Sequence, residues 1–175
     1  MDMQDSILSK TKTYYVVKEV KKLIGIARKK EIPVIYVRAY FRRGAPEISP
    51  NNKFLFENRD LFANADPAKW MQIPKEINPD SSDIIVDKRR IGSFEGSDLE
   101  MILRSKGYSH LILCGVGTSG VVLSTVREAS DKDYMITVIS DACADADPEI
   151  HDMLMKKIFP VQSTVLSIEQ WQKSE

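Results

Sequence analysis

Val34-Ile35-Tyr36-Val37 is a β-branched run without polar alternation, introduced by Pro33 and preceded by a helical stripe. A strand whose successive side chains are all apolar must be covered on both faces, the condition of a parallel sheet flanked by helices. The pattern then recurs. Asp83-Ile84-Ile85-Val86-Asp87 predicts a second short strand, residues 96–106 a helix closed by Gly107 as C-cap, 111–114 a strand, 119–132 a helix, 135–139 a strand, 148–158 a helix with Pro148 near its first turn, and 163–166 a last strand. Alternation this regular predicts a three-layer α/β/α architecture, Rossmann-like, around a doubly wound, mainly parallel sheet with right-handed crossovers.

The helical stripe at 12–30 places Tyr15, Val16, Val20, Leu23, Ile24 and Ala27 on one side and lysines on the other, as a surface helix requires. Folds of this kind begin with a strand, yet only about ten irregular residues precede that stripe, too few for a buried strand and its turn. The expectation is a first strand missing from the sheet or truncated by a late start. Residues 42–79 hold five prolines, clustered Asn and Asp, and the aromatics Phe54, Phe56, Phe62 and Trp70. Aromatics at this density predict an ordered excursion rather than a linker.

The 175 residues fit one domain, expected over 1–175, with a core that needs no disulfide staples. Lys plus Arg and Asp plus Glu number 25 each, so no net field gathers nucleic acid or an anionic membrane. No apolar stretch reaches the length of a membrane span, and Met-Asp-Met-Gln-Asp-Ser has no signal-peptide character. Cys114, ending an apolar strand, and Cys143, in an acidic loop, do not make a disulfide framework. These features predict a cytoplasmic protein whose partner is a small-molecule ligand or substrate, not nucleic acid or membrane.

In open α/β sheets, ligands collect beyond the carboxyl ends of the strands. Four segments stand there: Lys88 with Arg89 and Arg90, followed by Gly92-Ser93-Phe94; the turn Gly115-Val116-Gly117-Thr118-Ser119-Gly120; Asp141-Ala142-Cys143-Ala144-Asp145; and Asp2, if it ends a strand. The glycine turn offers freed N–H groups at a helix start, suited to an anion or a developing oxyanion. His151 with Asp145, Asp147 and Glu149 is an acidic cluster able to attract a cation, although a solvated helix start, where acids favour the N-terminal dipole, explains it better. Ser119, Ser124 and Thr125 have no histidine base nearby in sequence, which favours capping by Ser119 and packing by the others.

In order along the chain, these segments resemble the isochorismatase-like hydrolases, a family that also holds nicotinamidases and N-carbamoylsarcosine amidases. Met1-Asp2-Met3-Gln4 is similar to the Asp-Met-Gln ending the family's first strand; Lys88, a few residues before Ser93-Phe94, to its Lys; Gly115-Val116-Gly117-Thr118 to its Gly-Val-x-Thr turn; and Val138-Ile139-Ser140-Asp141-Ala142 to its strand ending in Asp-Ala. The resemblance implies a pocket of Asp2, Lys88 and the turn Val116 to Val121, with Gln4, Phe94, Val116, Gly117, Thr118 and Gly120 contacting substrate or oxyanion. It also implies a cis peptide bond in the turn and a homodimer or homotetramer. In the amidohydrolase members the Asp takes a proton from a nucleophilic Cys, the Lys favours the charged forms, and the turn's N–H groups hold the oxyanion.

That Cys falls at Val121, whose alkyl side chain can neither ionise nor attack. Cys114, before the turn, reads as a small buried hydrophobe. The true isochorismatases place Gly there and cleave a vinyl ether with the Asp as proton donor; Val is bulkier and would crowd a large ring. Nicotinamidases bind zinc through histidines after the second strand, whereas residues 36–62 contain none and the chain has only His110 and His151. No metal or cofactor is therefore expected. Non-thiol hydrolysis by Asp2 and Lys88 leads, with two alternatives kept open: an inactive relative binding a small carboxylate, or an oligomeric interaction partner.

Overall fold

The computed structural model describes residues 1–174. In chain order it comprises α1 (Asp5–Thr11), α2 (Val17–Lys29), β1 (Ile35–Ala39), α3 (Lys53–Glu57), α4 (Arg59–Asn64), α5 (Pro67–Trp70), β2 (Ile84–Lys88), α6 (Leu99–Ser105), β3 (His110–Val116), α7 (Leu123–Asp131), β4 (Met135–Ala144), α8 (Pro148–Met153), β5 (Thr164–Leu166) and α9 (Ile168–Lys173). Every strand pairing is parallel. The one continuous sheet expected is two: β1 pairs with β2, and β3-β4-β5 form the other.

Met1–Gln4 lies between them. The Asp2 N–H donates to the Val37 carbonyl of β1 at 2.8 Å, and the Val116 N–H of β3 donates to the Met1 carbonyl at 3.2 Å. The chain's first residues therefore join the two sheets at their carboxyl ends.

The apolar patterning accounts for the helices. In α2, Val17, Val20, Leu23, Ile24 and Ala27 are buried, a stripe at helical spacing, while Lys18, Lys21 and Lys22 face solvent. The helix expected over 12–30 is nevertheless broken: Lys12 takes a left-handed conformation (φ 57°) that ends α1, and a 3₁₀ turn at Tyr14–Val16 leads into α2. Two apolar layers sandwich the strands, one holding Val86, Leu99, Leu103, Val122 and Val126, the other Val20, Leu23, Ile24, Ile139 and Trp171.

The excursion at 42–79 is ordered around its own small core. Phe41, Ala45, Ile48 and Leu55 cluster with Phe62, whose ring stacks on Phe41 at 4.6 Å and meets Trp70 edge-on at 5.6 Å. The Trp70 indole N–H donates to the Ala39 carbonyl, fixing the excursion to the end of β1. β4 runs five residues beyond the predicted 135–139: after a register shift between Leu113 and Gly115, pairing resumes with Gly115 opposite Cys143 and Val116 opposite Ala144. That extension carries residues 140–144 to the glycine turn.

Candidate active site

Asp2 and Lys88 are 86 positions apart in sequence and meet at the carboxyl ends of the strands. Asp2 sits at φ 55°, an uncommon conformation for a non-glycine residue, held by its N–H bond to Val37. Lys88 ends β2 opposite Ala39 and is 2% exposed. Its Nζ donates to the carbonyls of Arg90 at 2.9 Å and Ile91 at 3.0 Å and pairs with Asp2 Oδ2 at 3.0 Å. An ammonium has three hydrogens, and here each has an acceptor.

The Asp2 carboxyl is only half satisfied. Oδ2 has Lys88, whereas Oδ1 is buried without a hydrogen-bond partner. Burial pushes the carboxyl's pKa above its ordinary value, and the opposing effects of Lys88 and the nearby amino terminus reduce this rise without cancelling it. A charged pair this far from water is costly to break from one side: removing either partner strands the other, typically at about 3–5 kcal/mol.

Gln4 is fully buried and acts as a brace. Its amide nitrogen donates to the carbonyls of Ala39 at 3.1 Å and Trp70 at 2.7 Å, and its oxygen accepts from the Ala39 N–H at 2.7 Å. All three bonds go to backbone, so the side chain expected to meet a substrate instead ties the first residues to β1 and the excursion.

The glycine turn begins at the end of β3 and contains a cis peptide bond between Val116 and Gly117. Gly115, at φ 143°, is obligatory: a Cβ there would overlap the Met1 carbonyl oxygen and approach Met1 C and N at 2.9 Å. Thr118–Val122 forms a wide π-type turn before α7, replacing the start of the uniform helix expected over 119–132. Within it Val121 is 2% exposed. Thr118 Oγ1 shares a 2.8 Å hydrogen bond with His151 Nδ1, and burial lowers the pKa of that imidazole.

Several of the turn's N–H groups are already occupied. The Ser119 N–H and hydroxyl both donate to Asp145 Oδ2, at 2.6 and 2.8 Å, while the N–H groups of Gly120 and Val122 reach the Gly117 carbonyl and that of Val116 reaches Met1. The anion expected at this helix start is thus supplied, at Ser119, by a carboxylate of the chain itself. Asp147 caps α8 through the N–H groups of Glu149 and Ile150. Two acids of the cluster around His151, Asp145 and Asp147, therefore serve as caps at helix starts.

Phe94 is brought elsewhere than its motif implies. The ring is buried in the core, stacked with Tyr134 at 5.9 Å and covered by the Lys132 ammonium at 5.7 Å. Its neighbour Ser93 is what connects to the site: the Ser93 N–H donates to Thr125 Oγ1, the Thr125 hydroxyl to Ser93 Oγ at 2.9 Å, and the Ser93 hydroxyl to the Met1 sulfur at 3.1 Å. Ser93 stands in the motif after Lys88 and Thr125 is expected only to pack, so neither signals this network. Asp145 lies 26 positions from Ser119, and only the fold joins them. The thiols are unactivated, since burial raises the pKa of both Cys114 and Cys143. His110 lies at the opposite end of β3, bonded to Thr137.

Comparison with known proteins bears on the family and the fold. The isochorismatase domain model matches residues 1–170. The isochorismatase family protein YwoC of Bacillus subtilis is 32% identical over 160 residues, 91% of this chain and 83% of that protein. The ureidoacrylate amidohydrolase RutB of Caulobacter segnis is 31% identical over 149 residues, 77% of this chain, and the match spans 61% of that longer protein. Among solved structures, a cysteine hydrolase from Pseudomonas syringae pv. phaseolicola superposes with a TM-score of 0.85 at 24% identity, over 98% of this chain and 88% of its own. N-carbamoylsarcosine amidase from Thermoplasma acidophilum gives 0.74 at 24% identity, over 96% and 93%. At that identity the likeness is one of fold.

Proposed function

The chain belongs to the isochorismatase family, and from that premise we propose that it is a hydrolase of a small metabolite whose Asp2 carboxyl, positioned by Lys88, moves the proton, with no sulfur nucleophile. The observation that carries the reading is the half-satisfied carboxyl: Oδ2 anchored on Lys88, Oδ1 buried and free, and a pKa raised by burial. A carboxyl in that state keeps its proton to higher pH than a solvated one, which a general acid needs. Amide hydrolysis like that in the names of the RutB relatives would require another nucleophile, because counting from Gly115 the resemblance puts the family's Cys position at Val121.

Vinyl ether hydrolysis fits these groups. Asp2 would deliver its proton to the terminal enol carbon, leaving an oxocarbenium ion beside the new carboxylate. Water adds to the cation and returns a proton, and the hemiketal collapses to a ketone and an alcohol. Lys88, fully bonded to the chain, stabilises the carboxylate after transfer. The bulk of Val121 favours a small or linear vinyl ether over a wide ring.

A second reading has its own observation. Asp145 already holds the Ser119 N–H, which reduces what the turn offers a developing oxyanion and favours a protein that binds a small metabolite without turning it over.

Purified protein assayed against small vinyl ethers, amides and carbamoyl compounds tests both. General acids typically contribute about 10²–10⁴-fold, so Asp2→Asn is expected to cost at least about 100-fold. Turnover that survives Asp2→Asn and Lys88→Ala together would remove the assignment, while tight binding without turnover would favour the second reading.

A further inference from the structure

We infer that the outer face of α2 is a docking surface for an anionic lipid bilayer, held there by unpaired lysines and by the tyrosines at its N-terminal end. The chain's 25 basic and 25 acidic residues cancel in sum, which predicts no net pull toward an anionic membrane, but they are not evenly spread. On α2, Lys18, Lys21, Lys22, Gly25, Arg28 and Lys29 are exposed, and at about 100° per residue they fill one sector about 120° wide. Glu19, the helix's only acid, lies about 60° outside that sector. From Lys18 to Lys29 the stripe is about 16 Å long.

The face has no counter-charge of its own. Lys132, Lys156 and Lys173 each pair with the acid four residues earlier, Glu128, Asp152 and Glu169. Arg28 is likewise engaged, by Asp80 and Asp83. Lys18, Lys21, Lys22 and Lys29 differ, as does Lys12 just ahead of the helix: among the described residues none of these five ammonium groups has an ion-pair or hydrogen-bond partner. Lys18 stands three and four residues from Lys21 and Lys22, spacings at which like charges destabilise a helix, and a cation in the first turn opposes the helix dipole. Such a stripe weakens the chain alone and becomes favourable against an anionic partner.

The shape of the partner follows from the shape of the face. The outer sector of a helix is convex, whereas proteins that hold single-stranded nucleic acid track its backbone along a groove. A bilayer surface is flat, and lysine stems can extend from a convex face to its headgroups. The 3₁₀ turn leading into the stripe leaves Tyr14 45% and Tyr15 67% exposed, and tyrosine rings settle at the headgroup level of a bilayer. Among the described residues no helix is long and apolar enough to cross a membrane, so the contact is with the surface. Each lysine brought near an anionic surface raises partition about fivefold, and the attraction fades beyond a Debye length of about 10 Å at about 0.1 M salt.

Sedimentation of the full chain with vesicles tests this without using turnover, and so stands apart from the hydrolase reading. Phosphatidylcholine vesicles containing about one-third phosphatidylserine are expected to bind the chain at about 0.1 M salt and release it at about 0.5 M, while phosphatidylcholine alone binds little. Lys18→Gln combined with Lys22→Gln should weaken partition about 25-fold. Gly25 offers a second probe inside the stripe, since a Cβ there meets nothing within 4 Å. Gly25→Glu should weaken partition about fivefold, and Gly25→Ala should leave it unchanged. Equal binding to both kinds of vesicle, or undiminished binding by the double variant, would overturn the inference. So would a parent chain that ignores the anionic vesicles, whether or not it retains a single-stranded oligonucleotide.

Discussion

Gly115→Ala offers the most direct test of how the site is assembled. The new Cβ would overlap the Met1 carbonyl oxygen and lie 2.9 Å from Met1 C and N, all backbone atoms that no rotamer change can move. Met1 must leave. Its departure breaks two hydrogen bonds made by its main chain, from the Met1 ammonium to the Cys114 carbonyl and from the Val116 N–H to the Met1 carbonyl, each worth about 1 kcal/mol, besides the weak one from the Ser93 hydroxyl to its sulfur. A side chain at φ 143° adds about 1–3 kcal/mol of backbone strain. The expected destabilisation is therefore about 3–5 kcal/mol, visible as a lower urea midpoint with little change in slope. A double-mutant cycle then asks whether Asp2 leaves with Met1. If it does, Asp2→Asn costs much less in the Gly115→Ala background than in the parent, since the pair with Lys88 is already lost. A Gly115→Ala protein within about 1 kcal/mol of the parent, or strictly additive costs, would refute the reasoning.

Three further outcomes follow from the same geometry. Asp2 titrates above its ordinary value of 3.8, so as pH rises past that value the unfolded chain loses its proton first; stability should fall until the Asp2 pKa is passed and then level, whereas any acid-dependent turnover should hold below that pKa and fall above it, and Asp2→Asn should abolish that segment of the stability profile in pH-dependent urea melts. His151 titrates below its ordinary value of 6.5, so as pH falls past that value the unfolded chain gains a proton that the folded chain refuses; stability should decline with falling pH until the His151 pKa is reached, and His151→Gln should flatten that decline. Asp145→Ala should cost about 1–2 kcal/mol through the lost bonds from Ser119 and, by uncovering the Ser119 N–H, make the melting temperature respond to millimolar inorganic phosphate where the parent does not.

The parts of the fold legible in the sequence were those written in local chemistry. Ile35-Tyr36-Val37 and Ile84-Ile85-Val86 announced buried parallel strands, and Gly107, at φ 68°, ends its helix stretch as a C-cap should. Ser167 and Gln170 spell a capping box for α9, a signal carried by the sequence directly after the short strand. What escaped depends on contacts distant in sequence. Residues 140–144 look like a polar loop until the register shift at Gly115 pairs them with β3. Thr13, polar and at the start of the expected helix, gives no hint of being buried where that helix breaks.

The site divides the same way. Family resemblance implies one pocket for Asp2, Lys88 and the turn, and the fold pairs two of them at 3.0 Å. Phe94 carried the right motif, but spacing cannot say on which side of a loop a ring will pack. Asp145 was visible only as an acid near a helix start, and its partner Ser119 was set by β4 running past its predicted end.

Lys88 has a consequence of a different kind. With its three hydrogens committed to Arg90, Ile91 and Asp2, it has none to offer a visitor. A ligand meets it as a local potential and not as a hand to grasp, so Lys88 can bias the site toward anionic compounds without telling one anion from another. Discrimination falls to the shape of the walls. An amine-directed affinity label would find this lysine silent, and an inhibitor aimed at the pocket would need to address the free oxygen of Asp2 instead.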